Sequence, residues 1–562
     1  MPIRDHRHPA PLALAIVALC TTILMLAFPA VSNARPAKDP VVAAINSARM
    51  KRQITYQQTR ELQRDWALSA RAQRVARSAS RRAAIASVRS YTTNLAQGRG
   101  LTAERLPAVM LSVKATTTIM LRGSYPGHEQ EVQIPGEVVV FTYYSGRGVQ
   151  FQPFETFKQG MRELNQKEPD IDAAREIADR MLELSVRRGS SITWEYYFPF
   201  GGPSTPWTSA ISQGLATELL YRVGQAVPEG EGAPYLAAAD DVARSFLRST
   251  KVGGLGVADG DGRYYVMYSF APWQRILNGH LQVLINLNRY ATATGSVAAR
   301  RVVDQGISAV VPLLPKFDTG GWSNYQPGQE ADLNYHEFQS GQLVKLGEET
   351  GNPTFSEYGS RFTSYLETPP TVSFPSPLYP AIFPADDDFR DGIDVPVTVN
   401  KRSRITLVVY DAHGDEMGRT SIWRGRGTGV VTWDGTDRNG RRAPAGTYTG
   451  RITATDIVKN RAFVDLEAPL RVIADETPPT LRVMTLRERR GTSIVTANAF
   501  DMASGSITAR IRIDGKIVAF AKGGRSGTIT LRTRRALADV KRGELLLRDT
   551  SGNELVQPIT PG

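Results

Sequence analysis

The chain has 562 residues, 41% of them hydrophobic, one cysteine and a formal charge of +13. That length exceeds what a single hydrophobic core organises, so three or four domains are expected, and the composition excludes a collagenous or disulfide-stapled class. The charge is uneven: residues 35–100 hold 14 Lys/Arg against 3 Asp/Glu, which leaves the remainder near neutral and gives the folded domains no nucleic-acid signature.

Residues 1–34 read as a signal peptide. Arg4 and Arg7 precede an apolar run from Leu12 to Phe28, and Ser32-Asn33-Ala34 supplies small residues for cleavage. An uncleaved membrane anchor is the alternative, since the run is close to the length of a short span. Cys20 lies inside this run, so a processed chain would have no disulfide, thiol nucleophile or cysteine metal site. An exported protein of that kind fits a secreted or bacterial-envelope location.

Residues 35–104 form a basic segment rich in Ala, Arg and Gln, which favours helix with a thin apolar stripe. Its arginine face suits an anionic polymer or lipid, against a reading as a solvated spacer. Residues 105–150 are expected to be a small β region, because Val109–Leu121 and Glu131–Tyr143 alternate apolar and polar residues with Thr and Val enrichment. Residues 151–368 then show helical patterning over Phe154–Asn165, Ile171–Arg187, Ser209–Val223, Pro234–Arg248, Ile276–Thr294, Ala298–Leu314, Phe338–Thr350 and Thr354–Leu366. Aromatic loops separate these helices, which points to an α/α barrel with a site at one rim. Residues 369–396 read as a proline-rich linker, and residues 397–475 and 476–562 as two β-sandwich modules that could be removed without unfolding the helices.

Three blocks in the helical region carry a resemblance. WTSAISQGLATELLYRV begins at Trp207, RILNGHLQVLINLNRYATATG at Arg275, and GGWSNYQ with DLNYHEFQSGQLVKL spans 320–346. In this order they resemble the C-terminal catalytic domain of D-glucuronyl C5-epimerases. The resemblance implies an α/α barrel and C5 proton transfer on a uronate-containing polysaccharide; with no Gly-rich phosphate loop, His-Glu-x-x-His zinc motif or nucleophile elbow in the sequence, no cofactor or metal is expected. It also implies that Tyr325 and Tyr335 are the acid/base pair. Two positions depart from the family: Gln326-Pro327-Gly328 follows Tyr325, and His280 replaces an aromatic or aliphatic residue. Farther on, the Trp433-Asp434-Gly435 run through Gly446 and Tyr448 resembles the immunoglobulin-like domain of flagellar hook-capping proteins. Asp434, Asp437 and Asn439 there are read as an Asx-turn array that needs no calcium.

Epimerisation at C5 requires the substrate carboxylate to be neutralised and the proton to be moved between faces. Cations near a tyrosine would lower its pKa from about 10. Trp207, Gln213, Arg275, Asn278, Trp322, His336 and Glu195 are the candidate substrate-binding residues, with Tyr196 and Trp273 beside them and Arg275 as the carboxylate partner. The expected partner is an acidic polysaccharide or envelope glycan. Three alternatives stay open. A lyase removes the same proton and then expels the C4 substituent. A hydrolase would use Glu195 with Asp332 or Glu337. A glycan-binding protein would have lost the chemistry.

Overall fold

The computed structural model describes residues 39–202, 205–374 and 381–560, so the expected signal segment lies outside the described residues. Among these, no helix is long and apolar enough to cross a membrane.

The chain opens with four helices, α1 (Pro40–Met50), α2 (Tyr56–Val75), α3 (Ala79–Gln97) and α4 (Leu106–Arg122). Asp39 caps α1, Thr55 and Gln58 form a capping box on α2, and Ser78 caps α3, each satisfying otherwise orphaned N–H groups. The basic segment is not a surface arm. Val41, Ile45, Trp66, Ile85 and Val88 belong to one buried core continuous with the helices that follow. Several arginines are structural: Arg81 donates to the carbonyls of Ile119, Met120 and Gly123 at the end of α4, and Arg89 lies 3.8 Å over the Trp66 ring. The strand expected over Val109–Leu121 is helix α4 instead. It is buried on nearly every side, and a helix surrounded by protein loses the polar face that would reveal its period. The β region is confined to short strands at Glu131–Val132, Phe141–Tyr144 and Gly148–Phe151.

The next eight major helices form four antiparallel pairs. They are α5 (Pro153–Leu164) with α6 (Ile171–Glu183), α7 (Ala210–Ala226) with α8 (Ala233–Phe246), and α9 (Leu277–Thr294) with α10 (Val297–Val310). After the short α11 (Leu314–Phe317), α12 (Leu333–Thr350) pairs with α13 (Pro353–Ser364). The sequence-based helices correspond closely to these. The inner helix of each pair packs on the next, α5 on α7, α7 on α9 and α9 on α12. The ends of this arc, α5 and α12, do not pack closely on one another, so the array is an arc of paired helices open between them.

A small hairpin precedes each inner helix, and the fourth residue of the helix fastens it. In α5, Thr156 Oγ1 accepts the Val140 N–H at 3.0 Å. In α7, Gln213 accepts the Trp194 N–H at 3.1 Å and donates back to its carbonyl at 3.0 Å. In α9, His280 Nδ1 accepts the Tyr265 N–H at 3.0 Å while Nε2 donates to Gly306 O of α10 at 3.1 Å. In α12, His336 Nδ1 accepts the Ser323 N–H at 3.2 Å and Nε2 donates to Phe362 O of α13 at 3.0 Å. Both histidines lie under an aromatic ring, His280 against Tyr264 at 4.2 Å and His336 against Trp322 at 3.7 Å. Each therefore holds a hairpin, an inner helix and an outer helix together as the neutral Nε2–H tautomer.

Two β-sandwiches follow. In the first, the strand Ile393–Val399 pairs with Gly427–Trp433, and Ser403–Tyr410 lies between Glu416–Arg424 and Gly446–Asp456. The proline-rich stretch is not a free linker, because Val372–Ser373 and Ala381–Ile382 each add to one of these sheets. The second sandwich packs Thr480–Arg489, Thr492–Phe500 and Ser526–Thr533 against a four-stranded sheet. A buried seam joins the first sandwich to the helices. Lys401, 2% exposed, pairs with Asp456 at 2.8 Å and donates to the Tyr365 and Thr368 carbonyls just past α13, while Asn460 donates to Leu366 O at 2.7 Å. The expectation of freely removable C-terminal modules meets this seam: cutting them away strips partners from the chain just past α13.

Two outcomes follow from these packing arguments. Lys401→Met leaves Asp456 buried and unpaired, and should cost about 3–5 kcal/mol in urea unfolding; an unchanged midpoint would contradict the seam. Burial, outweighing the bonds to Gly306 and Phe362, holds His280 and His336 down at about 4 from the usual 6.5. A depressed histidine pKa means the unfolded chain binds more protons, so this stability is complete above about pH 6.5 and drains away as pH falls toward 4. On the order of 2 kcal/mol per histidine should be lost by pH 4.5. The paired variant His280→Gln/His336→Gln should lack that slope in denaturant titrations at pH 7 and pH 4.5; an equal slope in both proteins would refute the assignment.

Candidate functional site

A cleft of about 630 Å³ opens between the ends of the arc. Its helical walls have a regular origin. Phe154, Glu155 and Lys158 of α5, Ile211 and Leu215 of α7, Asn278 and Gln282 of α9, and Tyr335 and Phe338 of α12 all line it. These are the second or third and the sixth residues of each inner helix, the spacing that stacks side chains on one helical face. Four helix N-termini thus converge on one volume, and α5, α7 and α9 begin without a side-chain cap.

The aromatic loops supply the rest of the wall. Trp207 stacks on Tyr196 at 4.0 Å with planes 7° apart, and Phe200 stands 5.9 Å from Trp207 and 5.6 Å from Tyr268. This group is held from behind by a buried charge cluster. Glu195, 1% exposed, receives Arg105 Nε at 2.7 Å and Nη2 at 3.2 Å, and Arg188 Nε at 3.1 Å. Arg105 precedes α4, so the N-terminal bundle fixes the loop that carries Tyr196. Glu195 is therefore a structural anion and does not reach the cleft, which also removes it from any hydrolase pair.

Of the expected site residues, the structure brings Trp207, Asn278 and Tyr335 to the cleft, with Tyr196. Asn278 is 4% exposed and its Oδ1 lacks a partner among the described residues, leaving an acceptor for a ligand hydroxyl. Gln213, Trp322 and His336 are buried behind the wall: Gln213 clamps the Trp194 backbone, Trp322 donates to Ala331 O at 2.9 Å, and His336 fastens α12. Arg275 is occupied by Asp259 at 2.6 Å and Pro272 O at 2.8 Å, which withdraws it as a carboxylate partner. Trp273 is 73% exposed and does not line the cleft. Asp332 caps α12 through the Tyr335 N–H, and Glu337 is exposed and is not among the lining residues.

Tyr325 is not among the cleft-lining residues, and its ring packs against Tyr335 with centroids 4.7 Å apart. Van der Waals contact takes roughly 3.5–4 Å on each side of an inserted ring, so these phenols cannot enclose a sugar between them. They belong to one wall. Nor does any cation acidify them. Burial raises the Tyr325, Tyr335 and Tyr268 hydroxyls, and neighbouring phenols and the Asp332 and Glu129 carboxylates raise them further. They rest protonated, so each donates a proton directly and acts as a base only after losing that proton to solvent.

Sequence reasoning missed Glu155, Lys158, Tyr268 and Gln282. The aromatic loops gave a signal for Tyr268, while α5 presents an ordinary amphipathic pattern with no mark of a site. Glu155 is raised by burial against the pull of Lys158, with the Glu131 carboxylate adding to the rise.

Comparison with known proteins bears on two regions. The family described as D-glucuronyl C5-epimerase C-terminus matches residues 188–364, and the FlgD Ig-like domain matches residues 389–457. An uncharacterised protein of Methanocaldococcus jannaschii is 24% identical over 183 residues, 31% of this chain and 58% of the relative; the chain thus spans little more than half the length of that curated relative. Among solved structures, FlgD from P. aeruginosa is 19% identical over 21% of this chain and 78% of its own, TM-score 0.14. The Parabacteroides merdae β-glucuronidase is 14% identical over 36% of this chain and 26% of its own, TM-score 0.13. Likenesses at these scores carry no argument about activity. Over residues 188–364, then, the chain is similar to the D-glucuronyl C5-epimerase C-terminal family, and over 389–457 to the FlgD Ig-like domain.

Proposed function

We propose that the cleft binds a uronate-containing polysaccharide and that the helical array acts as a C5-epimerase-like isomerase, with Tyr335 transferring a proton at C5. The observation that carries this reading is the position of Tyr335: it stands in the matched Tyr335-His336 block and lines an aromatic cleft. Faces such as Trp207 and Phe200 suit stacking on a sugar ring. The uncapped N-termini of α5, α7 and α9 favour the substrate's carboxylate, and among the described residues Lys158 is the one cation lining the cleft. Tyr325 packs against the Tyr335 ring. The arc is read here as an incomplete counterpart of the expected α/α barrel.

A second reading, glycan binding without chemistry, is favoured by the pairing of that single cation with Glu155 at 2.6 Å. Binding of uronate polymer with no exchange of the C5 hydrogen would decide for it.

Tyr335 is 42% exposed, so Tyr335→Phe should leave stability within roughly 0.5 kcal/mol and affinity near wild type. Incorporation of deuterium at C5 from heavy water should fall about 10²–10⁴-fold for at least one of the two C5 epimers, the usual share of a general acid–base group. Wild-type exchange of both epimers by the Phe variant would reject Tyr335 as the proton-transfer residue.

A further inference from the structure

An epimerase needs proton-transfer groups on both faces of the ring, and Tyr325 and Tyr335 share one wall. The helix at the opposite end of the arc has one carboxylate facing the same cleft. Glu155 is the third residue of α5, as Tyr335 is the third residue of α12, and each is followed by the residue that fastens its helix to a hairpin, Thr156 and His336. Repetition of the same helix–hairpin unit thus presents the two side chains to the cleft from its two ends, and both line it.

The surroundings of Glu155 suit a group that exchanges protons. Its carboxylate accepts from Lys158 at 2.6 Å, and Lys158 also stands 4.0 Å from Glu131 and 5.9 Å over the Phe154 ring. Among the described residues that line the cleft, Glu155 is the only carboxylate. It precedes the region of family similarity, which begins at residue 188.

We infer that Glu155 is the proton-transfer residue opposite Tyr335, each serving one face of a bound uronate ring; this rests on the C5-epimerase reading. In one direction the Glu155 carboxylate takes the C5 proton as the C–H bond breaks, and the electron pair passes into the substrate's own carboxylate. That pair then forms a new C–H bond on the other face with the proton of the Tyr335 hydroxyl, leaving a phenolate. Solvent removes the proton from Glu155 and returns one to Tyr335. In the reverse direction the Tyr335 hydroxyl first passes its proton to solvent and Glu155 takes one up; the phenolate then takes the C5 proton and the Glu155 carboxyl delivers its proton to the other face. Lys158, between Glu131 and Glu155, is placed to hold the substrate carboxylate as charge builds on it.

The test uses the whole protein in heavy water with a glucuronate oligosaccharide and, separately, its iduronate epimer, following initial loss of the C5 hydrogen by mass spectrometry. Wild type should exchange both epimers. Glu155→Gln should lose about 10²–10⁴-fold from one epimer, and Tyr335→Phe a comparable amount from the other. Such selectivity would not follow from a merely structural role, which depresses both alike. Glu155→Asp, which keeps the carboxyl group, should slow the same single epimer and gives the reading if the Gln variant does not fold. Unchanged or equal exchange of both epimers by the Glu155 variants, with wild type active, overturns this inference alone. A wild type that exchanges neither epimer overturns the epimerase reading and this inference with it.

Discussion

The cleft depends on how each inner helix is fastened to the hairpin before it. A hairpin N–H buried against a helix end must find an acceptor, and here the fourth residue of every inner helix supplies one to a hairpin backbone. Thr156, Gln213, His280 and His336 do this with three different side chains. The residues just before them, including Glu155, Asn278 and Tyr335, inherit fixed positions at the cleft. A site carried on rigid helix ends is held more closely than one carried on loops alone.

Two further devices keep this arrangement in place. The Arg105–Glu195–Arg188 cluster anchors the aromatic loop to the N-terminal bundle, which explains why a basic segment outside the family match shares its core. On the other side, Lys401 and Asn460 of the first sandwich hold the chain just past α13, and Lys401 lies 5.9 Å from the Trp322 ring that covers His336. The sandwich therefore supports the helix that bears Tyr335.

Much of the array was legible in the sequence because its helices are amphipathic and are punctuated by Gly, Pro and aromatic loops. The family blocks also brought Trp207, Asn278 and Tyr335 into view. The repeat itself was hidden, since Thr, Gln and His do the same work by different chemistry and leave no recurring letter. Glu155 was hidden for a related reason: on α5 it looks like an ordinary first-turn acid. Conversely, Trp322, His336, Gln213 and Glu195 stand out as polar or aromatic residues beside the site, yet each is used to hold it together. Helix α4 reads as strand because burial on nearly every side removes the polar face by which helix and strand are told apart, and Val372–Ser373 and Ala381–Ile382 escape notice because strands of two residues carry almost no pattern.

The central claim is that a proton is exchanged at C5 of a uronate ring held in this cleft. The most direct measurement is incubation of the unmodified protein with a uronate polymer in heavy water, followed by position-resolved analysis of the recovered sugar. Deuterium should appear at C5, with both epimers formed from either starting material and the chain length unchanged. Firm binding of the polymer with no label at C5 would contradict the account.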